Sequence, residues 1–424
     1  MDNIWDVKIW REVEGYFPDD NNGSRIMFTS RNQRLAFQVD QNSISHQLWL
    51  FSKEESWDLM KGKLFSGDSG CSLEFTKIAK RIANRCKGLL LAVALISSLI
   101  GRMKRQLDLW NEVAENLKSR IASEGCQNVI ELSYKFLPEH LKSCFLYFGA
   151  FPRGENICAS TLDCLWSAEG FIKVDDTQCT KDLAKEYLNN LVSENLVVVS
   201  ERNSMGGIKE CNVHDLLYDF SFEKGRAENF LNWMEKSLFM DQSSTSPKKY
   251  VCHRLSICDT DSLIRPKPIH IRNELPTSKV YSCLWLGHPA ARQERTQFNV
   301  LSRNCFRVLR VLNMEGIYVK SNQFREILLF NIHLRYLAVT LADQCGLIPS
   351  SISNLWNLET FIVRYYNLAY PLPNSMWKMR SLRHVELLCP ELDMQNFEDV
   401  DSVGASSIET LGSLVLVYDS NTVK

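Results

Sequence analysis

A hydrophobic step recurs towards the C-terminal end of the 424-residue chain. Leu309, Leu312 and Met314 are echoed by Leu334, Leu337 and Val339, then by Leu358, Phe361 and Val363, and again by Leu382, Val385 and Leu387. The first members stand 25, 24 and 24 positions apart, within the leucine-rich-repeat range. The lead-in repeats too: Ile348-Pro349, Ile352 and Leu355 match Leu372-Pro373, Met376 and Met379 at the same 24-residue offset. A unit of this kind is a strand plus a return segment, and its core closes only when neighbours stack on it. The period therefore predicts a repeat solenoid over residues 251–424. Residues between the leucines are expected on its concave side: Arg310, Val311, Asn313, Arg335, Tyr336, Thr360, Ile362, Arg383, His384 and Glu386. Their mix of aromatic, apolar and oppositely charged groups suits a protein partner better than a polyanion.

Upstream of the repeats the pattern changes several times. "GSRIMFTSR" (23–31) and "HQLWLF" (46–51) read as short strands of a parallel α/β sheet, whose ligands sit beyond the strand ends. From Ser52 to about Arg120 the signal is helical, with Phe75, Ile78, Ala79, Ile82 and Cys86 forming one apolar stripe. Lys77, Lys80, Arg81 and Arg85 lie opposite, as a solvated face would, and Gly88 is placed to stop the helix. Between about 125 and 237, helices precede "ENLVVVS" and "IKECNVH", which flank Gly206-Gly207 as a hairpin. Helices followed by a hairpin suggest a winged helix. Its last helix before the hairpin, "KDLAKEYLNNLVSEN", carries two lysines against three acids, unlike a groove-entering helix. "MDQSSTSPKK" (240–249) reads as a linker.

Composition narrows the function classes. A net charge of −1 gives no basic footprint for nucleic acid or an anionic membrane. The uncharged stretch from Gly88 to Gly101 is shorter than the ~20 residues a membrane span requires. The 14 cysteines form no CxxC, which suits reduced thiols in a cytoplasmic protein, free or at a membrane periphery. Cys211-x-x-His214 with Cys252-His253 is only half a zinc pattern, and Cys144 lies in an apolar run that suits an inert thiol.

The motifs, taken in order, resemble the plant nucleotide-binding leucine-rich-repeat immune receptors of the coiled-coil class related to late-blight resistance proteins. "MDNIWD" looks like the tail of their Walker B strand, and "GSRIMFTSR" like the arginine-bearing strand that follows. "CKGLLLA" (86–92) looks like their GLPLA helix start, and "LSYKFLPEHLKSCFLYFGAFP" (132–152) is close to a family signature. "LWSAEGFI" (165–172) and "VHDLLYDF" (213–220) follow in family order. The resemblance implies a multidomain fold: residues 1–50 a remnant of the parallel α/β nucleotide-binding (NB-ARC) domain, 51–121 a helical domain, 122–237 a winged-helix domain, 238–250 a linker and 251–424 the leucine-rich repeats. It implies a non-enzymatic switch in plant defence, held closed by ADP and opened by ATP with Mg²⁺, and protein partners such as a pathogen effector, a host guard protein or another receptor.

Residue by residue, the resemblance assigns Asp2 to Mg²⁺, Arg31 to the terminal phosphate, and Gly88, Leu89 and Leu90 to the adenine side. His214 would donate to the β-phosphate of ADP, with Asp215 beside it at the helix start. The sequence also departs from the family. It has no G-x-x-x-x-G-K-[ST] loop, and Asn3 replaces the second Walker B acid, so hydrolysis is not expected. Leu90 stands where the family has proline, and Val213 where it has methionine. Micromolar affinity needs about −8 kcal/mol. Charged hydrogen bonds from Arg31 and His214 would supply roughly 3–6 kcal/mol. The expectation is an N-terminally truncated receptor that binds ADP and ATP weakly or undetectably. The alternative is a nucleotide-free scaffold or decoy whose repeats bind a protein partner or a full-length relative.

Overall fold

The structure is a computed structural model. It describes residues 4, 7–17, 23, 25–30, 35–39, 44–46, 48–65, 72–103, 106–124, 126–172, 180–235, 252–258, 279–286, 306–341, 348–365, 373–388 and 408–412. Its N-terminal part holds two short helices, α1 (Val7–Glu14) and α2 (Leu35–Val39). Among the described residues, no strand forms before Ile157. The expected strands at 26–28 and 46–51 therefore need correction: they are not laddered, because a strand requires a paired neighbour to satisfy its backbone. One trace of the pairing remains, in the Ile4 N–H that donates to the Thr29 carbonyl at 2.8 Å. Trp10 is buried beneath it against Phe28, ring centres 5.6 Å apart.

The helical reading holds for the described residues 53–65, 72–103 and 106–124. Helices α3 (Lys53–Phe65), α4 (Leu73–Arg85), α5 (Leu90–Arg102) and α6 (Leu107–Glu124) follow one another. Ser72 caps α4 by accepting from the Glu74 N–H at 3.3 Å, and Ala79, Ile82 and Cys86 are fully buried as the stripe required. Its basic side is not merely solvated. Arg81 reaches Asn111 at 2.7 Å, Arg85 pairs with Glu115 at 3.6 Å, and Lys80 sits 5.1 Å over the Trp57 ring.

Next come α7 (Gln127–Lys135), α8 (Glu139–Tyr147), β1 (Ile157–Cys158), α9 (Ala159–Glu169) and α10 (Thr180–Ser193). The expected hairpin is β2 (Val198–Arg202) with β3 (Ile208–Asn212), and β1 joins it antiparallel on the far side of β3. Then α11 (Asp215–Ala227) packs back on α7 and α8.

The rest of the described chain is one parallel sheet in chain order: β4 (Asn232–Glu235), β5 (Arg254–Cys258), β6 (Ser282–Trp285), β7 (Val311–Val319), then helix α12 (Ser321–Phe330), β8 (Tyr336–Leu341), β9 (Thr360–Tyr365), β10 (His384–Leu388) and β11 (Thr410–Gly412). Leu312 pairs with Leu337, Leu337 with Phe361, and Phe361 with Val385, so the sequence period is the strand register. Return segments at 350–354 and 374–378 are 3₁₀ turns that bury Ile352 and Met376. The sheet starts earlier than the repeat pattern indicates, because β4 lies before the 240–249 segment, which is outside the described residues. Alternate residues on the strands point to opposite faces. Leu312, Met314, Leu337, Val339, Phe361 and Val363 fill the repeats' own core. Val311, Tyr336, Ala338 and Ile362 join the core that runs through the preceding helices.

Candidate functional site

Asp2 and Arg31 lie outside the described residues. The other candidates for nucleotide contact can be placed. Chain reversal after α4 is made by Lys87 at φ 51° and Gly88 at φ 74°, both left-handed. The Gly88 carbonyl accepts from the Phe51 N–H at 3.0 Å, and a Cβ on Gly88 would stand 2.2 Å from the Phe51 oxygen. Only glycine fits there. Leu89 is the N-cap of α5 and packs partly into the core, whereas Leu90 is 53% exposed. Ala92, one turn further into α5, is fully buried.

His214 is the N-cap of α11, and its Nδ1 accepts from the Leu216 N–H at 3.2 Å. With Nδ1 accepting, a neutral ring carries its proton on Nε2, which makes that atom a donor. The side chain is exposed, while Val213 is buried beneath it. Asp215 lies 3.9 Å from Arg153, whose other nitrogen contacts Asp219 and whose guanidinium lies over the Tyr218 ring. Both α5 and α11 pack on α7, which joins these two groups of candidates. Neither of the two clefts described below is lined by Gly88, Leu89, Leu90 or His214.

The zinc pattern does not assemble. Cys211 is buried with its thiol 3.7 Å from the Ile157 carbonyl, His253 stacks on Tyr281, and no metal-holding cluster exists among the described residues. Cys144 is fully buried, and desolvation raises its thiol pKa, as an inert position would require. Among the described residues, no helix is long and apolar enough to cross a membrane.

The expected partner-binding face requires a correction in its occupancy. Val311, Asn313, Tyr336 and Thr360 are at most 2% exposed, and Ile362 is 8% exposed. What covers much of this face is the chain's own α9, packed on β7 and β8. Glu169, at the end of α9, pairs with Arg254 on β5 at 2.9 Å and also accepts from Ser282 on β6. Arg254 in turn lies against the Phe171 and Phe230 rings, at 4.8 and 4.1 Å. Ser167 donates to Glu359 at 3.0 Å, and Arg335, paired with Glu359, reaches the Ala168 carbonyl at 3.4 Å. Below α9, Trp233 Nε1 and Ser256 Oγ donate to the carbonyls of Gly149 and Ala150, each at 2.7 Å. Sequence period could place these side chains on one face, but it carried no sign that α9 would seat there.

Only the margins of that face remain more open. Arg310 lies 5.1 Å over Tyr281, Arg383 pairs with Glu409 at 2.8 Å, and His384 Nδ1 is 2.6 Å from Thr410 Oγ1. Burial pushes the His384 pKa down. Together with Glu386, Arg383 and His384 edge a cleft of about 230 Å³ between α9 and the sheet. A second cleft, of about 430 Å³, lies beside Tyr134, with Lys142 and Lys224 both 5.7 Å from its ring centre.

Residues 150–221 match the disease resistance protein winged helix domain, and residues 1–70 match the NB-ARC domain. The late blight resistance protein homolog R1B-16 of Solanum demissum is 35% identical over 418 residues, which is 97% of this chain and 31% of that protein. Late blight resistance protein R1-A of the same species is 34% identical over 399 residues, 91% of this chain and 30% of the relative. The chain thus spans about a third of the length of these curated relatives.

Proposed function

We propose that this chain, a homologue of the late blight resistance proteins carrying NB-ARC and disease-resistance winged-helix segments, is part of a plant intracellular immune receptor. In this reading β4–β11 form a leucine-rich-repeat solenoid that recognises a protein, either a pathogen molecule, a host guard or another receptor. The winged-helix part holds the recognising face shut until activation. The observation that supports this best is the seat of α9 on the sheet, anchored by a Glu169–Arg254 pair with Glu169 1% exposed. A two-state device needs such an element, one whose contacts differ between its states.

NB-ARC domains bind ADP or ATP, so the nucleotide is the natural input to such a device. The described residues do not by themselves make a nucleotide site. Their donors are the His214 Nε2 and the first-turn amides of α5, and the sequence has no glycine-lysine phosphate loop to add to them. Occupancy by ADP in the isolated chain is therefore expected to be low, and no hydrolytic step is assigned. His214 and Asp215 remain the candidate switch pair, with Arg31 and Asp2 as candidate phosphate and Mg²⁺ contacts.

Two measurements test the reading. Denaturing the purified chain and chromatographing the released nucleotides reads occupancy directly; a near-stoichiometric ADP peak overturns the low-occupancy expectation. Hydrogen exchange across β7–β9, with and without ADP and Mg²⁺, reads coupling. Exchange that changes with ligand supports the switch. Exchange that ignores ligand supports the alternative, a nucleotide-free scaffold that binds a protein partner or a full-length relative.

A further inference from the structure

The cleft between α9 and the end of the sheet holds a buried carboxyl group with one oxygen left without a hydrogen bond among the described residues. Asp163, in the middle of α9, is only 8% exposed, and its Oδ1 is buried with no hydrogen-bond partner among the described residues. It lines the cleft of about 230 Å³. Buried carboxylates are ordinarily paired, because leaving one alone costs its full desolvation.

The balance of charge around the cleft fixes the sign of what could enter. Glu359 is answered by Arg335 and Glu409 by Arg383. Among the described lining residues, that leaves Asp163 and Glu386 against one cation, Lys181, with Lys185 of α10 also acting on Asp163 from outside the lining. His384 adds little positive charge near neutral pH, because burial disfavours its protonated form. Hydroxyls of Ser160, Thr161 and Thr410 also line the cleft and can accept from N–H donors. A space of this size admits a short alkyl chain with one charged end.

We propose that this cleft is a binding site for an alkylammonium group, anchored by the Asp163 carboxylate. The group comes either from a free amine or from a lysine side chain of another protein. Held there, it contacts α9 and β10 together and braces the winged-helix part against the repeats. The proposal does not depend on nucleotide, and its test involves none.

The test is calorimetric titration of the full chain at pH 8 with 1,5-diaminopentane and with the peptide acetyl-Gly-Lys-Gly-amide. Controls are 1,5-pentanediol and inorganic phosphate. The expected result is a saturable one-to-one isotherm for at least one amine, in the millimolar range (about −4 kcal/mol) or tighter, with none for the diol. A response to the diamine alone identifies a free amine, and a response to the peptide alone identifies a partner's lysine. Asp163→Asn should weaken binding at least about tenfold, the effect of removing one charged partner. Lys181→Gln, which removes a like charge, should strengthen it. Glu386→Gln provides a smaller loss should the first variant fold poorly. No saturable heat with either amine, unchanged affinity in both carboxyl variants, or saturation by phosphate that Lys181→Gln abolishes would each overturn the proposal.

Discussion

Glu169 and Arg254 face each other at 2.9 Å across the boundary between the last turn of α9 and strand β5, with 1% and 13% of their side chains exposed. Removing one member of such a pair leaves the other buried and unanswered. Glu169→Ala should therefore cost about 3–5 kcal/mol in urea denaturation. It should also speed hydrogen exchange on β5–β8 more than on α3–α6. A loss spread evenly over both regions would show that the pair does not latch α9 to the sheet.

Gly88→Ala tests the turn between α4 and α5. The substitution puts a methyl group into the Phe51 carbonyl and forces an L-residue to keep φ at 74°. The expected cost is about 1–3 kcal/mol, because left-handed strain and a backbone clash add. Loss of the hydrogen bond between Phe51 N–H and the Gly88 carbonyl should be visible as faster exchange of that amide. Unchanged stability would mean that Leu50 and Phe51 do not dock on this turn.

The repeat core predicts a contrast between positions. Phe361 is fully buried between Leu337 and Val385 in the register, whereas Trp356 is 70% exposed on the return segment. Phe361→Ala should cost about 3–5 kcal/mol. Trp356→Ala should stay within about 0.5 kcal/mol of the parent, although both remove an aromatic ring. Equal costs for the two would contradict the stacked arrangement.

Asp163 predicts a pH dependence. Desolvation raises its carboxyl pKa from 3.8 to about 7, opposed by Lys185 and Lys181 on α10. Cys211 on β3 and Cys164 on α9 interact with it as well, and Glu359, Glu386 and His384 share its cleft. A folded pKa above the unfolded one means the native state holds the proton more tightly. Its contribution to stability is thus full below about pH 4 and is lost as pH rises to about 7. Asp163→Asn should be close to the parent below about pH 4, gain on it as pH rises, and be more stable by about 2–4 kcal/mol at pH 8. A difference that does not grow with pH would count against a strained carboxylate. Amine binding in the same cleft should weaken as pH falls through 7, because it needs the ionised form.

The stacked strands were legible because Leu312, Leu337, Phe361 and Val385 carry the periodic signal themselves. Strands β5 and β6 were not. Leu255 pairs with Cys283, and Cys283 with Leu312, at steps of 28 and 29 positions, and the second site bears a cysteine where the pattern wants a leucine. The hairpin at Gly206 was readable from its glycines and β-branched flanks, and α4 from its stripe. By contrast, Arg81 and Arg85 looked like solvent-facing charge, since a single helix does not reveal that Asn111 and Glu115 will face it. The same limit hid the site. His214 could be located, and its cap contact with the Leu216 N–H is local, but the covering of Tyr336 by a helix some 170 residues earlier follows from tertiary packing.

The coverage of Val311 and Tyr336 by the chain's own helix has a consequence for recognition strength. A visitor that needs those side chains competes with an internal ligand tethered at high local concentration, so its measured affinity is its intrinsic affinity reduced by the open fraction. With about one molecule in a hundred open, a nanomolar grip is felt as tenth-micromolar. Weakening the Glu169–Arg254 clasp would then sharpen recognition without altering one atom of the recognising surface.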